Sequence, residues 1–301
     1  MHVEAVRRSR SLTIAPATFR KLAVAAAVML LLIVATGATV RLTASGLGCE
    51  HWPGCQPGDP FPKKGYHSYV EFSNRIVAFF TILVTLAAAV ASLLTSGVSR
   101  RTRWLAWGVF AGTLAQAPLG AITVYFHLNP WLVLTHLLLS LVVLAGGVLV
   151  ALDAFGTPSP AAPPLVRWGS LVALAALGVL VVSGTIVTAS GPHPGGADVR
   201  RLASFQPAIW LHVRATAAFG LTFLALLVWA WRQRGWALRG SLALLGVLLV
   251  QMAVGEIQYR TQLPWWLVLG HVTLAATVWA CAVALVASIW RARGALPTPR
   301  A

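Results

Sequence analysis

Gln116-Ala-Pro-Leu-Gly120, followed by Trp131-Leu-Val-Leu-Thr-His136, returns as Gln251-Met-Ala-Val-Gly255, followed by Trp266-Leu-Val-Leu-Gly-His271. Gln, Gly, Trp and His all recur at one offset of 135 residues, so the chain reads as an internal duplication with a histidine at a matched position in each copy. Working outward, Thr43-Ala-Ser-Gly46 returns as Thr188-Ala-Ser-Gly191, and Asn74-Arg75 stands where His212-Val213-Arg214 stands in the second copy. Between the copies, Asp153 to Arg167 carries Pro158, Pro160, Pro163 and Pro164, which suits an extended linker and sets the boundary.

Composition sets the medium. Only 10% of residues are charged while 58% are hydrophobic. Apolar runs of about 20 residues recur, each long enough to cross a hydrocarbon core of about 30 Å as a helix. The pattern predicts eight spans, at 22–43, 70–95, 104–125, 131–152, 165–188, 207–231, 238–258 and 265–290. The expected fold is an all-α membrane protein, its eight transmembrane helices forming two pseudo-symmetric four-helix bundles. The segments are a basic tail 1–21, a first half 22–152, a linker 153–164, a second half 165–290 and a tail 291–301.

A net charge of +16 would suit nucleic acid in a soluble protein, but in a membrane chain the distribution of Lys and Arg matters more than the sum. Arg7, Arg8, Arg10, Arg20 and Lys21 precede span 1. Arg100, Arg101 and Arg103 separate spans 2 and 3, Arg232, Arg234 and Arg239 separate spans 6 and 7, and Arg291, Arg293 and Arg300 follow span 8. With eight spans all of these fall on one side, so both termini are expected in the cytoplasm of a cell whose plasma membrane holds the chain; no nucleic acid is expected. The opposite loops carry fewer, chiefly Arg41, Lys63, Lys64, Arg200, Arg201 and Arg260. The first apolar stretch is longer than a signal-peptide core, and the duplication needs it as a span. Many of the 13 Trp residues fall near span ends, where they serve as interfacial anchors.

A histidine inside a span is costly without a partner and marks a pathway, a relay or a metal. His136 and His271 each follow a Trp by five residues, and His212 follows Pro207 by five. All three therefore lie about 7–8 Å inside an outer span end, at one depth. A planar macrocycle held from both sides needs two imidazoles facing each other across a bundle. His212 and His271 meet that need within the second half; the alternative is a packing histidine bonded to a backbone carbonyl. Zinc lacks a third and fourth ligand nearby. In the first half His136 is opposed by Asn74, a poor iron ligand, so that half holds a macrocycle by one axial bond. Exchangeable ligation of a substrate and decay of a duplicated site would both look this way.

Span 2 opens with Glu71-Phe-Ser-Asn74-Arg75, which puts Glu71 on the face of Asn74 and Arg75. The carboxylate is either a catalytic neighbour of the macrocycle or half of a rim ion pair with Arg75. Arg75 and Arg214 suit the carboxylates of a macrocycle. In Cys49-Glu-His-Trp-Pro-Gly-Cys55 a Pro53-Gly54 turn brings two sulfurs together outside the cytoplasm, where a disulfide is the leading reading over free thiols or a site including His51. Cys281 reads as packing. His2, His67, His127 and His193 read as solvated or interfacial, and Glu256 is left without a role.

Taken together, Arg41-Leu-Thr-Ala-Ser-Gly-Leu-Gly-Cys49, Trp52-Pro-Gly-Cys55, Glu71-x-x-Asn74-Arg75 and the series His136, His212 and His271 resemble the haem A synthase family. These membrane enzymes oxidise a methyl group of haem O to the formyl group of haem A for cytochrome oxidase, and the resemblance covers nearly all eight spans. It implies His212 and His271 as axial ligands of a permanent haem b, and the Arg214 reading above would place a guanidinium at its carboxylates. It implies His136, with Asn74 and Arg75, as the seat of the haem O substrate, Glu71 as the carboxylate essential to the oxidation, and Cys49 with Cys55 as a disulfide. The family motif usually reads Glu-x-x-His-Arg, so Asn74 is a departure that argues against two-sided ligation of the substrate. The implied partners are the bilayer, a haem O synthase that supplies the substrate and an unidentified electron donor, with a homo-oligomer left open. The competing readings are a non-enzymatic b-type cytochrome that relays electrons and a transporter built from parallel repeats.

Overall fold

A computed structural model describes residues 13–49, 51–52, 54–63, 65–156, 162–196 and 199–291. The tail basics Arg7, Arg8, Arg10, Arg293 and Arg300, the linker prolines Pro158 and Pro160, and His2, Pro53 and Lys64 lie outside the described residues. Regular structure within them is helical, in eight elements: α1 (Pro16–Leu42), α2 (Tyr66–Leu94), α3 (Arg100–Tyr125), α4 (Pro130–Phe155), α5 (Pro164–Ser190), α6 (Phe205–Gln233), α7 (Gly235–Arg260) and α8 (Trp265–Trp290). All eight are long and apolar enough to cross a membrane.

Local chemistry starts and stops these helices. Pro occupies the first turn of α1, α4 and α5, where a missing N–H costs nothing. Ser99 Oγ accepts from the Thr102 N–H at the start of α3, and Asn129 Oδ1 from the Trp131 N–H at the start of α4. Gly156, at φ 57°, closes α4 in the left-handed conformation. Several helices run past the apolar stretches that define the expected spans. α2 begins at Tyr66 instead of 70, and α4 carries Asp153, assigned above to the linker, inside its last turn. Polar end residues are invisible to a hydropathy count yet continue the backbone ladder.

Each helix of the first half packs on its neighbours in sequence, α1 on α2, α2 on α3 and α3 on α4, with α1 on α4 closing the ring. The second half repeats the pattern: α5 on α6, α6 on α7, α7 on α8, and α5 on α8. Helices meet at small residues, as expected where lipid offers no hydrophobic drive. A Cβ on Gly112 of α3 would come within 2.7 Å of Val143 of α4, one on Gly146 within 2.7 Å of Val109, and one on Gly147 within 2.7 Å of Leu30 of α1. Large apolar side chains instead point outward, among them Phe79, Val142 and Leu221.

The halves join along α4 and α8, with α1 against α8 and α4 against α5. Trp279 Nε1 of α8 donates to the Leu141 carbonyl of α4 at 2.8 Å. At the end of the helices that carries Arg100 and Arg239, Arg291 pairs with Asp153 and donates to the Leu149 carbonyl at 3.0 Å, while Asp153 also accepts from Thr102. At the other end, Arg41 of α1 crosses to the second half and donates to the carbonyls of Thr188 at 2.9 Å and His193 at 3.1 Å. His193 is half-buried and also bonds the Leu263 carbonyl through Nε2 at 2.8 Å, while His67 is exposed as expected, its Nδ1 3.0 Å from Ser45 Oγ.

Candidate functional site

His136, His212 and His271 lie six, seven and six residues into α4, α6 and α8, and Asn74 eight residues into α2. At about 1.5 Å per residue these depths are about 9–12 Å, close to one level across all four helices.

Each of the four faces a glycine on the preceding helix. A Cβ on Gly37 would lie 4.0 Å from Asn74 Oδ1, one on Gly120 3.7 Å from His136 Cε1, one on Gly184 3.0 Å from His212 Cε1, and one on Gly255 2.9 Å from His271 Cε1. The glycine lets the ring edge or amide come close to the neighbouring backbone. This explains why Gly120 and Gly255 recur with the histidines in the duplicated stretch.

Hydroxyls and amides orient the same four residues. Thr36 Oγ1 donates to Asn74 Oδ1 at 2.7 Å. Ser183 Oγ lies 3.0 Å from His212 Nδ1 while bonding the Leu180 carbonyl, so the imidazole presents Nδ1 to Ser183 and leaves Nε2 available. Thr36-Gly37 and Ser183-Gly184 are thus equivalent, and sequence reading missed them. The stretch between each dipeptide and its Thr-Ala-Ser-Gly is two residues longer in the first copy, so a fixed-offset scan passes over the match. Gln116 Nε2 bonds Ser140 Oγ at 3.0 Å and reaches toward the His136 carbonyl, whereas Gln251 Nε2 lies 3.2 Å from His271 Nε2.

His212 and His271 come together across the second half, ring centroids 6.4 Å apart. Two metal–imidazole bonds of about 2.0–2.1 Å, with about 1.1 Å from each nitrogen to its ring centre, call for about 6.3 Å. The pair is spaced to hold one metal between them. His271 Nδ1 is buried without a hydrogen-bond partner among the described residues. Ligation through Nε2 requires Gln251 to turn aside. Among the described residues no group of three or more His, Cys, Asp or Glu side chains is arranged for a metal ion, and the donors at this place are the two imidazoles. A macrocyclic iron fits that donor set.

The first half is built differently. His136 Nδ1 is also buried without a partner, but His136 and Asn74 share no hydrogen bond among the described residues. About one turn outward of Asn74, Glu71 is 5% exposed. Its Oε2 accepts from the Cys49 N–H at 2.8 Å and its Oε1 from Arg75 at 2.6 Å. The pair is therefore no solvated rim contact. Arg75 also donates to the carbonyls of His51 at 2.7 Å and Gly54 at 2.5 Å, so it spans from the carboxylate to the loop between α1 and α2. Cys49 and Cys55 are joined in a disulfide, Cα atoms 4.4 Å apart. Ser68 Oγ donates to the Gly48 carbonyl at 2.7 Å, and a Cβ on Gly48 would meet the His67 carbonyl oxygen at 2.4 Å. Only glycine lets the loop lie this close on the first turn of α2. Loop, disulfide, Arg75 and Glu71 form one unit that caps the first-half site.

Arg214 is not brought to the histidines. Two residues beyond His212 it lies about 200° round α6, exposed beside Gln206, Pro207 and Trp210. Glu256 forms an exposed ion pair with Arg260 at 2.5 Å, and Cys281 is a partly buried free thiol.

The family described as COX15-CtaA, cytochrome oxidase assembly protein, matches residues 20–64 and 61–193. That region takes in Cys49, Cys55, Glu71, Asn74, Arg75 and His136 and stops short of His212 and His271. The chain is similar to the heme A synthase of Bacillus pumilus (strain SAFR-032), 36% identical over 138 residues and 45% of each chain. It is similar also to that of Bacillus licheniformis, 29% identical over 161 residues and 53% of each chain, and to that of Methylorubrum populi, 29% identical over 169 residues, 52% of this chain and 44% of the relative. The chain spans about half the length of the curated relatives it matches. With more than half of its residues inside the family match, from the first helix through the Thr188-Ala-Ser-Gly191 repeat, the chain belongs to the COX15-CtaA family of cytochrome oxidase assembly proteins.

Proposed function

We propose that this protein is a haem A synthase, oxidising one methyl group of haem O to a formyl group by successive hydroxylation. The observation that carries the reading is the inequality of the two halves. One pairs imidazoles at metal-holding distance, and the other carries a single imidazole on α4 and a buried carboxylate on α2. The curated heme A synthases among the relatives support it.

In the second half His212 and His271 would hold a haem b, which when bound supplies one-electron transfer. Ser183 fixes the His212 ring, and Gly184 and Gly255 give both rings their seats. In the first half His136 binds the iron of the substrate from one side. Thr36 holds the Asn74 oxygen, so Asn74 turns its amide N–H groups, not a ligand lone pair, toward the rest of the site. Glu71 is oriented by the Cys49 N–H and by Arg75 before any substrate arrives. A fixed negative charge there suits stabilisation of positive charge on the carbon being oxidised, and Oε1 or Oε2 can accept the proton that leaves it.

We infer further that both termini face the cytoplasm of a cell whose plasma membrane holds the protein, because Arg20, Lys21, Arg100, Arg101, Arg103, Arg232, Arg234, Arg239 and Arg291 gather at one end of the helices. Both sites then lie toward the outer face. A haem O synthase supplies the substrate, and a separate donor or acceptor exchanges electrons with the second half. Haem extraction from protein co-expressed with a haem O source tests the reading. Haem A or a hydroxylated intermediate is expected; haem B alone would make the protein a relay cytochrome instead.

A further inference from the structure

Outward of the His212 and His271 pair, α5, α6 and α7 end around a cavity of about 310 Å³ lined by Ser190, Arg201, Phe205, Tyr259, Gln262 and Leu263. Helix register fixes its depth. Ser190 lies six residues beyond Gly184, Tyr259 four beyond Gly255, and Phe205 seven before His212. At about 1.5 Å per residue the cavity begins about 6–10 Å outward of the imidazoles on all three helices.

Two polar residues of its wall stand out. Ser190 is 1% exposed and its Oγ has no partner among the described residues, an arrangement native proteins rarely leave without a ligand or water. Arg201 brings a guanidinium with no hydrogen bond or ion pair among the described residues. The volume sits at the low end of ligand pockets, which run about 300–1,000 Å³. It equals about ten waters at roughly 30 Å³ each, which suits the charged edge of a ligand whose body lies elsewhere.

We propose that this cavity is the carboxylate-binding end of the second-half site, where Arg201 and Ser190 receive the carboxylates on the rim of the macrocycle held by His212 and His271. The proposal rests on the reading of that half as a haem b site. A guanidinium fork pairs a carboxylate with two parallel N–H bonds, and a serine hydroxyl donates one more. Phe205 and Leu263 supply apolar walls, while Arg201 stands exposed at the mouth. Arg214, on the far side of α6, takes no part.

The test uses the full chain produced without haem and titrated with haem B or with haem B dimethyl ester, which lacks the free carboxylates. Formation of the bis-imidazole spectrum is followed. Wild type is expected to bind the free acid at least about tenfold tighter than the diester, the worth of one charge-assisted pair. Arg201→Gln should bring that ratio toward one by weakening the free acid alone, Ser190→Ala should lower it in the same direction by less, and Arg214→Gln should leave it unchanged. A wild-type ratio in Arg201→Gln, with the bis-imidazole spectrum intact, would overturn the cavity assignment alone. Failure of wild type to form that spectrum with either compound would overturn the haem reading, and this assignment with it.

Discussion

Replacing Gly255 with alanine isolates the role of the glycine seats. The new Cβ would lie 2.9 Å from His271 Cε1 and 3.3 Å from its Nδ1. Carbon atoms in contact settle at about 3.5–4.0 Å, so the ring must retreat by about 0.6–1.1 Å. Metal–ligand distances tolerate about 0.2 Å, so a ring displaced this far cannot keep both its rotamer and its bond to the iron. Overpacking of this kind costs about 1–3 kcal/mol, which is about 5- to 150-fold in haem affinity. Gly184→Ala, at 3.0 Å from His212, should behave alike, whereas Gly120→Ala, at 3.7 Å from His136, meets ordinary contact and should leave the low-spin haem untouched. The assay is the low-spin signal by electron paramagnetic resonance, together with haem retention through dialysis. Equal retention in Gly255→Ala and Gly120→Ala would refute the reasoning, because then the glycines do not seat the ligands.

Further outcomes follow from the first half. Glu71→Gln should keep the low-spin haem and accumulate haem O, and wild-type yields of haem A would reduce the carboxylate to a brace for the loop. Asn74→His should donate Nδ1–H to the Thr36 hydroxyl as His212 does to Ser183 and give a second low-spin species when haem O is bound; an unchanged spectrum would mean position 74 does not face the substrate iron. Reduction of the Cys49–Cys55 bridge, whose residues are six apart, should cost about 2 kcal/mol of local stability. Proteolysis of the 51–63 loop should accelerate with it, and a loop as resistant as before would show that Arg75 and Ser68 hold it unaided.

The spans and the three site histidines were legible because each rests on local composition or on a repeat at fixed offset. Helix ends were less so, since Tyr66 and Asp153 are polar and belong to helices only through the backbone. The partners of the histidines were hidden for another reason. Gly184 and His212 are 28 residues apart on different helices, and a glycine announces nothing about what lies opposite it. Arg214 looked equivalent to Arg75 by sequence, yet the one-residue difference in spacing from His212 turns it about 100° further round the helix. Arg41, read only as a loop charge, ties the two halves together through carbonyls that no side-chain pattern reveals. The Ser190 and Arg201 cavity exists only where three helix ends converge.

The central claim, that a duplicated fold has divided its labour between a fixed redox site and a reaction site, is tested most directly by spin-resolved haem spectroscopy of His212→Ala and His136→Ala beside wild type. The account predicts that His212→Ala loses the low-spin haem, while His136→Ala keeps it and loses haem O and its oxidation products. A low-spin haem that survives His212→Ala but vanishes with His136→Ala would contradict it.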